Sequence, residues 1–234
     1  MRGCSHLIYP PICLECAESL QSANHLFCEN CTLQLTVLNP QDRCQYCFGE
    51  KNFRPHLKIC QKCLKSEPLF HRLAAVFEYA GPAATLVKHL KYANQSYLAE
   101  GMGAFLAYQF YQLKWPVPDL IIPVPLSLTH HFSRGYNQAE LIAMALGKII
   151  GSPVKQVLKR KSGDFSQTAL DRSQRERLEG SAFFVKKNAA IQDRTILVID
   201  DVLTTGTTLK RCAEVLWEEA PKSLYGLTFC RATE

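Results

Sequence analysis

The chain has 234 residues, enough for one α/β domain and a small appendage. Apolar residues make up 47% and charged residues 21%, as in a globular protein, and the longest apolar runs, such as Leu120–Ile122 and Ile196–Ile199, are far too short to span a bilayer. A formal net charge of +6 suits an anionic ligand but is too modest to indicate nucleic acid, and residues 1–15, with one Arg and no apolar core, lack a signal-peptide pattern, so a cytoplasmic protein without a membrane partner is expected.

Cysteine is unevenly spread. Nine of the eleven lie in the first 63 residues, and only Cys212 and Cys230 lie beyond. This break predicts a cysteine-rich unit at 1–66 and a larger domain at 67–234. Apart from Cys4, the early cysteines form four CxxC knuckles: Cys13 with Cys16, Cys28 with Cys31, Cys44 with Cys47, and Cys60 with Cys63. Two intervening residues let both sulfurs of a tight turn reach one tetrahedral ion at about 2.3 Å. Two such turns complete a Cys₄ site with no open coordination position, so two structural zinc ions are expected. Disulfides need an oxidising compartment, and a redox CxxC needs no fourfold repetition. Eight thiolates on two Zn²⁺ contribute about −4, which brings the net charge near +2.

Pairing is either sequential or cross-braced, the latter joining knuckles one and three, then two and four. Each sequential half has the length of a two-hairpin ribbon, and Asn39-Pro40 falls between the halves as a break, which favours the sequential arrangement. So short a segment has too little apolar surface to fold alone, and metal binding, worth about 10–16 kcal/mol for such sites, supplies the difference. The unit reads first as a scaffold bracing the larger domain or a partner. Its cations Lys51, Arg54, Lys58, Lys62 and Lys65 are the features that nucleic-acid contact would use.

In the larger domain, Arg72–Tyr79 alternates and reads as a strand. Gly81-Pro82 opens a helix to about Tyr92, Pro82 suiting a first turn. Ser96–Leu113 is a second helix, and Asp119–Val124 a buried strand ended by Pro123 and Pro125. Asn137 and Glu140 cap a helix to Ile150, which Gly151 stops. Strands follow at Ser181–Val185 and Thr195–Asp200, then an amphipathic helix at Thr208–Glu219 and a strand at Ser223–Cys230. Strands alternating with helices predict an α/β fold with a mostly parallel sheet covered on both sides.

The most informative segment is residues 196–209, ILVIDDVLTTGTTL. Four apolar residues bury a central strand, and Asp200 and Asp201 follow at its carboxyl end, where ligands of open α/β sheets bind. Thr204, Thr205, Gly206, Thr207 and Thr208 then open the next helix. Their hydroxyls and successive N–H groups can cradle a phosphate at the positive helix end, while the carboxylates accept hydrogen bonds from sugar hydroxyls. The segment therefore asks for a phosphorylated sugar. A phosphatase or response-regulator metal site would use the Asp pair, but it explains neither the Thr-Thr-Gly-Thr-Thr order nor the apolar run before it.

Residues 196–209 resemble the phosphoribosyl-pyrophosphate (PRPP) signature of type I phosphoribosyltransferases. Across the whole chain the sequence resembles the ComF family, which joins a double zinc ribbon to such a domain. Further matches are Leu90-Lys-Tyr92, Ile122-Pro-Val-Pro-Leu126, Arg134-Gly-Tyr-Asn-Gln138 and the stretch from Lys159 to Phe183. The resemblance implies that Asp200 and Asp201 contact the ribose and that Thr204–Thr208 holds its 5-phosphate. It places a pyrophosphate loop at Pro123–Ser127, including Leu126 and Ser127, after which Arg134 either holds the leaving group or stands solvated on a structural turn. It also places a mobile lid in the basic stretch 155–177, which carries seven Lys or Arg, including Lys159, Arg160, Arg175 and Arg177, against three acids. The sequence departs from the family at Leu178, where Asn usually follows the paired arginines. His130 and His131 receive no role.

The implied activity is Mg²⁺-dependent transfer of a ribosyl 5-phosphate group from PRPP to an unidentified acceptor, in DNA uptake or nucleotide salvage. Magnesium is expected to be bound chiefly by PRPP itself, with water and Asp200 or Asp201 completing its shell. The alternative is a non-catalytic PRPP- or nucleotide-binding module whose ribbons recruit nucleic acid or a competence partner. Only an enzyme needs the lid and the pyrophosphate loop.

Overall fold

The computed structural model describes residues 11–22, 24–50, 58–65, 68–126, 135–160 and 183–232. The expected Ser127, Arg134, Arg175, Arg177 and Leu178 contributions, and the His130–His131 pair, lie outside the described residues.

The cysteine-rich part consists of two copies of one unit. In the first, Cys13 N donates to Glu18 O, Ala17 N donates to Cys13 O, and Ile12 bridges Ser19. In the second, Cys44 N donates to Gly49 O, Phe48 N donates to Cys44 O, and Arg43 bridges Glu50. Ala17 and Phe48 close the equivalent turns at φ 60° and 59°. The second knuckle of each unit departs from the two-hairpin expectation, because Cys28 and Cys60 each cap one helical turn, α1 (Glu29–Thr32) and α2 (Gln61–Leu64). Between the units, Asn39 caps a 3₁₀ turn at Pro40–Asp42 by accepting from Gln41 N at 3.0 Å.

The larger part is built on four parallel strands in the order β1 (Arg72–Glu78), β6 (Ser223–Arg231), β5 (Thr195–Leu203) and β2 (Leu120–Pro123). One sheet face carries α3 (Gly81–Tyr92), α4 (Leu98–Leu113) and α5 (Gln138–Ile150), with Leu86, Leu90, Leu106, Ile142 and Leu146 buried against Leu197, Ile199 and Leu227. The other carries α6 (Thr207–Trp217), whose Leu209, Cys212, Ala213 and Leu216 pack on Ile196 and Val198. The expected two-sided covering is present.

Helix ends follow the local chemistry. Pro82 stands in the first turn of α3. Asn137 caps α5 by accepting from Ala139 N at 3.1 Å, and Gly151 stops it at φ 72°. Several boundaries shift by one or two residues from the sequence expectation, and two differences are larger. Strand β5 runs three residues past Asp200, because β6 keeps pairing with it as far as Leu203 opposite Arg231. A strand not anticipated, β3 (Leu158–Arg160), pairs antiparallel with β4 (Phe183–Val185).

Both outer strands are covered by other chain segments. Along β1, Leu38 N donates to Val76 O and Leu73 N to Tyr46 O. Beyond β2, Ile121 N donates to Pro153 O and Lys155 N to Ile121 O. Gln109 on α4 fastens the first of these edges, since its Nε2 donates to both Leu38 O and Ala75 O at 2.9 Å. Cys13, Phe27, Cys31, Leu38 and Phe48 belong to the same buried cluster as the β1 and α3–α5 residues. The cysteine units are therefore packed into the core of the larger part.

Close approach between helices sets a steric rule at Gly103. A methyl group there would lie 2.4 Å from Ala145 Cβ and 3.0 Å from Leu146 N, both on α5. Gly103→Ala is expected to destabilise the fold by about 1–3 kcal/mol through overpacking, even though Ala is the better helix former by about 1 kcal/mol. Urea unfolding checks the sign, and a stabilised variant would show that α4 and α5 can separate freely.

Candidate functional site

The sequential cysteine sets come together. The Sγ atoms of Cys13, Cys16, Cys28 and Cys31 lie within 4.8 Å of one another, as do those of Cys44, Cys47, Cys60 and Cys63. Tetrahedral bonds of about 2.3 Å require sulfur–sulfur edges of about 3.8 Å. The observed Cys16–Cys28 and Cys47–Cys60 separations are 3.6 and 3.7 Å. Backbone donors point at the sulfurs in the second cluster, Cys60 N to Cys44 Sγ at 3.2 Å and Gly49 N to Cys47 Sγ at 3.4 Å. Both clusters therefore fit a four-coordinate structural metal such as zinc.

At the carboxyl end of the sheet, the alternation of β5 sends its two carboxylates to opposite faces. Asp200 shares the parity of Ile196 and Val198, which pack on α6, and Asp201 that of Leu197 and Ile199, which pack on the helices opposite. The adjacent acids are thus joined through the backbone, Asp201 N donating to Asp200 Oδ1 at 2.8 Å. Burial pushes the Asp200 carboxyl up to about 8, and the neighbouring charge of Asp201 adds to the effect. Asp201 is 9% exposed and meets Lys91 on the last turn of α3, with Nζ 2.8 Å from Oδ1. The site thus offers an Asp200 whose burial favours the protonated form beside an ion-paired Asp201. Such a pair can both donate to and accept from a sugar diol.

Three residues after Asp201 the chain leaves β5 and turns into α6. Gly206 takes the left-handed conformation at φ 77°, where a Cβ is unfavourable, and stands as the helix cap. Thr204, Thr205, Thr207 and Thr208 are exposed, and Thr205 Oγ1 lies 2.8 Å from Thr207 Oγ1. The first turn of α6 carries no acid, which leaves its positive end uncompensated. Hydroxyls and the helix end together can receive a phosphate.

The second cysteine unit faces this loop, a relation the sequence did not disclose. Tyr46, Lys62 and Phe70 on one side and Thr204, Lys210 and Arg231 on the other line a cleft of about 650 Å³. Arg231 closes its base by donating from Nη1 to Cys47 O at 2.7 Å.

Of the other expected site residues, Leu126 is half-buried just beyond β2. Asn137 Nδ2 donates to Val124 O at 3.0 Å while its Oδ1 caps α5, which ties the end of β2 to the start of α5. Lys159 and Arg160 stand exposed on β3 rather than in a loop, with Arg160 over the Phe183 ring at 5.6 Å. The β3–β4 pairing sets Lys159 opposite Phe184 and Arg160 opposite Phe183. The two Cys₄ groups and the exposed threonine turn lie where the spacing anticipates them. Lys91, Arg231 and the second task of Asn137 were missed, and only the Leu90-Lys-Tyr92 match hinted at the first.

Sheet, loop and helix together define a phosphoribosyltransferase-type α/β domain, and residues 133–233 match the family model for the phosphoribosyl transferase domain. Competence protein F of Haemophilus influenzae is 30% identical over 213 residues, which cover 87% of this chain and 90% of that one. The DNA utilization protein YhgH of Salmonella typhi is 28% identical, covering 96% of this chain and 99% of its own. Competence protein ComFC of Bacillus subtilis is 24% identical over 69% of this chain and 67% of its own. The chain belongs to the ComF family. Among solved structures, one described as the allosteric regulatory enzyme of purine biosynthesis overlays 61% of this chain and 30% of its own, with 14% identity and a TM-score of 0.43. Purine phosphoribosyltransferase from Pyrococcus horikoshii overlays 57% and 82%, with 18% identity and a TM-score of 0.36. Among the described residues no helix is long and apolar enough to cross a membrane.

Proposed function

We propose that the protein is a PRPP-dependent phosphoribosyltransferase whose ribbons each hold one structural Zn²⁺. The observation that carries this reading is the continuous run from β5 to α6. Two carboxylates at the carboxyl end of a buried strand are followed by an open threonine loop on an uncompensated helix N-terminus. In this reading Thr204–Thr208 seat the 5-phosphate, and Asp200 and Asp201 fix the ribose hydroxyls. Leu126, Ser127 and Arg134 border the pyrophosphate, and the segment bearing Lys159, Arg160, Arg175 and Arg177 covers the reacting centre. The bond from C1 to the pyrophosphate oxygen breaks as the acceptor bonds to C1; pyrophosphate leaves with the electron pair and the acceptor gives up a proton. Magnesium accompanies PRPP and neutralises its phosphates. Rate acceleration comes from positioning and charge stabilisation, with no protein nucleophile.

The competing reading is a binding module without turnover. It is favoured by the cleft between the second ribbon and the loop, with Lys62, Lys210 and Arg231 on its walls. The competence and DNA-utilization names of the relatives point the same way. Pyrophosphate release from PRPP and Mg²⁺, measured across a panel of nucleobases and amines, separates the two. The lid variant Arg175→Ala with Arg177→Ala sharpens the test. An enzyme is expected to lose turnover by about 10²-fold while keeping its ribose 5-phosphate affinity. A nucleic-acid patch would keep any turnover and instead flatten the salt slope of DNA binding by about two units. No pyrophosphate release with any acceptor would leave the binding module as the answer.

A further inference from the structure

Lys91 is the cation the site was not expected to contain. It reaches Asp201 across 110 positions of sequence, and its side chain is only 20% exposed. Its place is set from behind. The carbonyl of Leu90, one residue earlier, accepts the hydroxyl of Tyr136 at 2.7 Å. Tyr136 directly precedes Asn137, the residue that caps α5 and staples Val124. The last turn of α3 is thereby tied to the start of α5, and Lys91 is presented to the end of β5 from a fixed backbone. Tyr92, the next residue, is 74% exposed.

We propose that Lys91 is a positioning residue for the phosphosugar site, holding the Asp201 carboxylate in the orientation that receives the ribose hydroxyls. The inference rests on the reading of Asp201 as a ribose contact. A carboxylate at a strand end can rotate about its own bonds. A charge-assisted hydrogen bond to Oδ1 removes that freedom and aims Oδ2. Pre-orientation lowers the ordering cost when the sugar arrives. Lysine suits the task better than a residue of β5 or β6, because its long stem lets the charge approach from a helix while the backbone of α3 stays in the packed layer. The simpler alternative is a partly buried ion pair that only fastens α3 to the sheet. That role predicts a change in stability and no specific change in ligand affinity.

The test is a double-mutant cycle on affinity for ribose 5-phosphate, read by calorimetry beside thermal unfolding. Ribose 5-phosphate carries no pyrophosphate, so effects on the pyrophosphate loop are not read. Lys91→Met is expected to weaken binding by about tenfold in the wild-type background. In the Asp201→Asn background it should add nothing, since the residue through which it acts is already altered. Lys91→Arg should keep most of the affinity, because a guanidinium supplies the same charge. Because Lys91→Met strands a buried carboxylate and can cost the fold, Tyr136→Phe is measured alongside. It removes only the hydroxyl that ties Leu90, and a loss of roughly threefold is expected. Unchanged affinity in a folded Lys91→Met protein, or losses that simply add in the double variant, would overturn the inference. If Asp201→Asn itself leaves ribose 5-phosphate binding intact, the ribose reading fails, and that outcome is separate from any result at Lys91.

Discussion

Replacing Asp200 and Asp201 together by Asn is expected to weaken PRPP binding by roughly 10²-fold, chiefly through loss of the charge-assisted hydrogen bonds of Asp201. Asn keeps the shape of both side chains, so no cavity opens at the end of β5 and cooperative unfolding should persist. The two single variants should not be equal. Asp200 is pushed up to about 8 by burial and by Asp201, which favours its protonated form, and Asn mimics that form. Asp201 is ion-paired with Lys91, and Asp201→Asn removes that partner and leaves the lysine unpaired. Most of the loss is therefore expected from Asp201→Asn. Calorimetry with PRPP and Mg²⁺ decides it: unchanged affinity in a folded double variant would sink the proposed function.

The pH response has a definite sign. A carboxyl whose folded pKa lies above its unfolded value binds its proton more tightly in the fold, so Asp200 favours the folded state most at low pH. Its contribution declines as pH rises from the ordinary carboxylate range towards about 8.

Removing metal is expected to have the second large effect. Protein purified without chelator should contain about two zinc equivalents, one for each four-sulfur cluster. Stripping them removes about 10–16 kcal/mol per site of binding free energy that is also folding free energy. The damage should spread beyond the cysteine units, because Cys13, Cys31, Leu38 and Phe48 share a core with β1 and α3–α5. The Arg231–Cys47 contact and the Arg43–Glu78 ion pair at 2.7 Å cross the same boundary. One concerted loss of secondary structure on chelation is expected. A larger domain that melts at an unchanged temperature after complete demetallation would show that the ribbons are passengers. One zinc equivalent or none would defeat the two-site reading.

Much of the fold was legible because its signals are local. Pro82, Asn137 and Gly151 act within one helical turn, and the CxxC spacing within one knuckle. The threonine loop is likewise contiguous, so its composition and its position after a buried strand could be read together. What escaped was non-local or too short. Leu158–Arg160 is a strand of three residues, less than two full alternations, and its identity depends on Phe183–Val185. The carboxylates of Asp200 and Asp201 interrupt the apolar run and suggest a strand end, but backbone pairing with β6 does not depend on side-chain polarity and carries β5 to Leu203. Lys91 meets Asp201, and Arg231 meets Cys47, only through tertiary packing.

The way the outer strands are covered bears on how the protein can be handled. An open strand offers a row of unsatisfied donors and acceptors, which is a template for pairing with another chain. On β1 that row is occupied by Leu38 and Tyr46, both from the cysteine-rich part, whereas the opposite margin is guarded by Pro153–Lys155 from within the larger part. A truncated chain starting at residue 68 would keep one guard and lose the other. Such a fragment also loses the core partners Cys13, Cys31, Leu38 and Phe48, and whatever part of it stays folded should self-associate with rising concentration through β1. Light scattering on the fragment and the full chain should differ for that reason, and a charged or Pro substitution on β1 at a position freed by the truncation should restore the monomer.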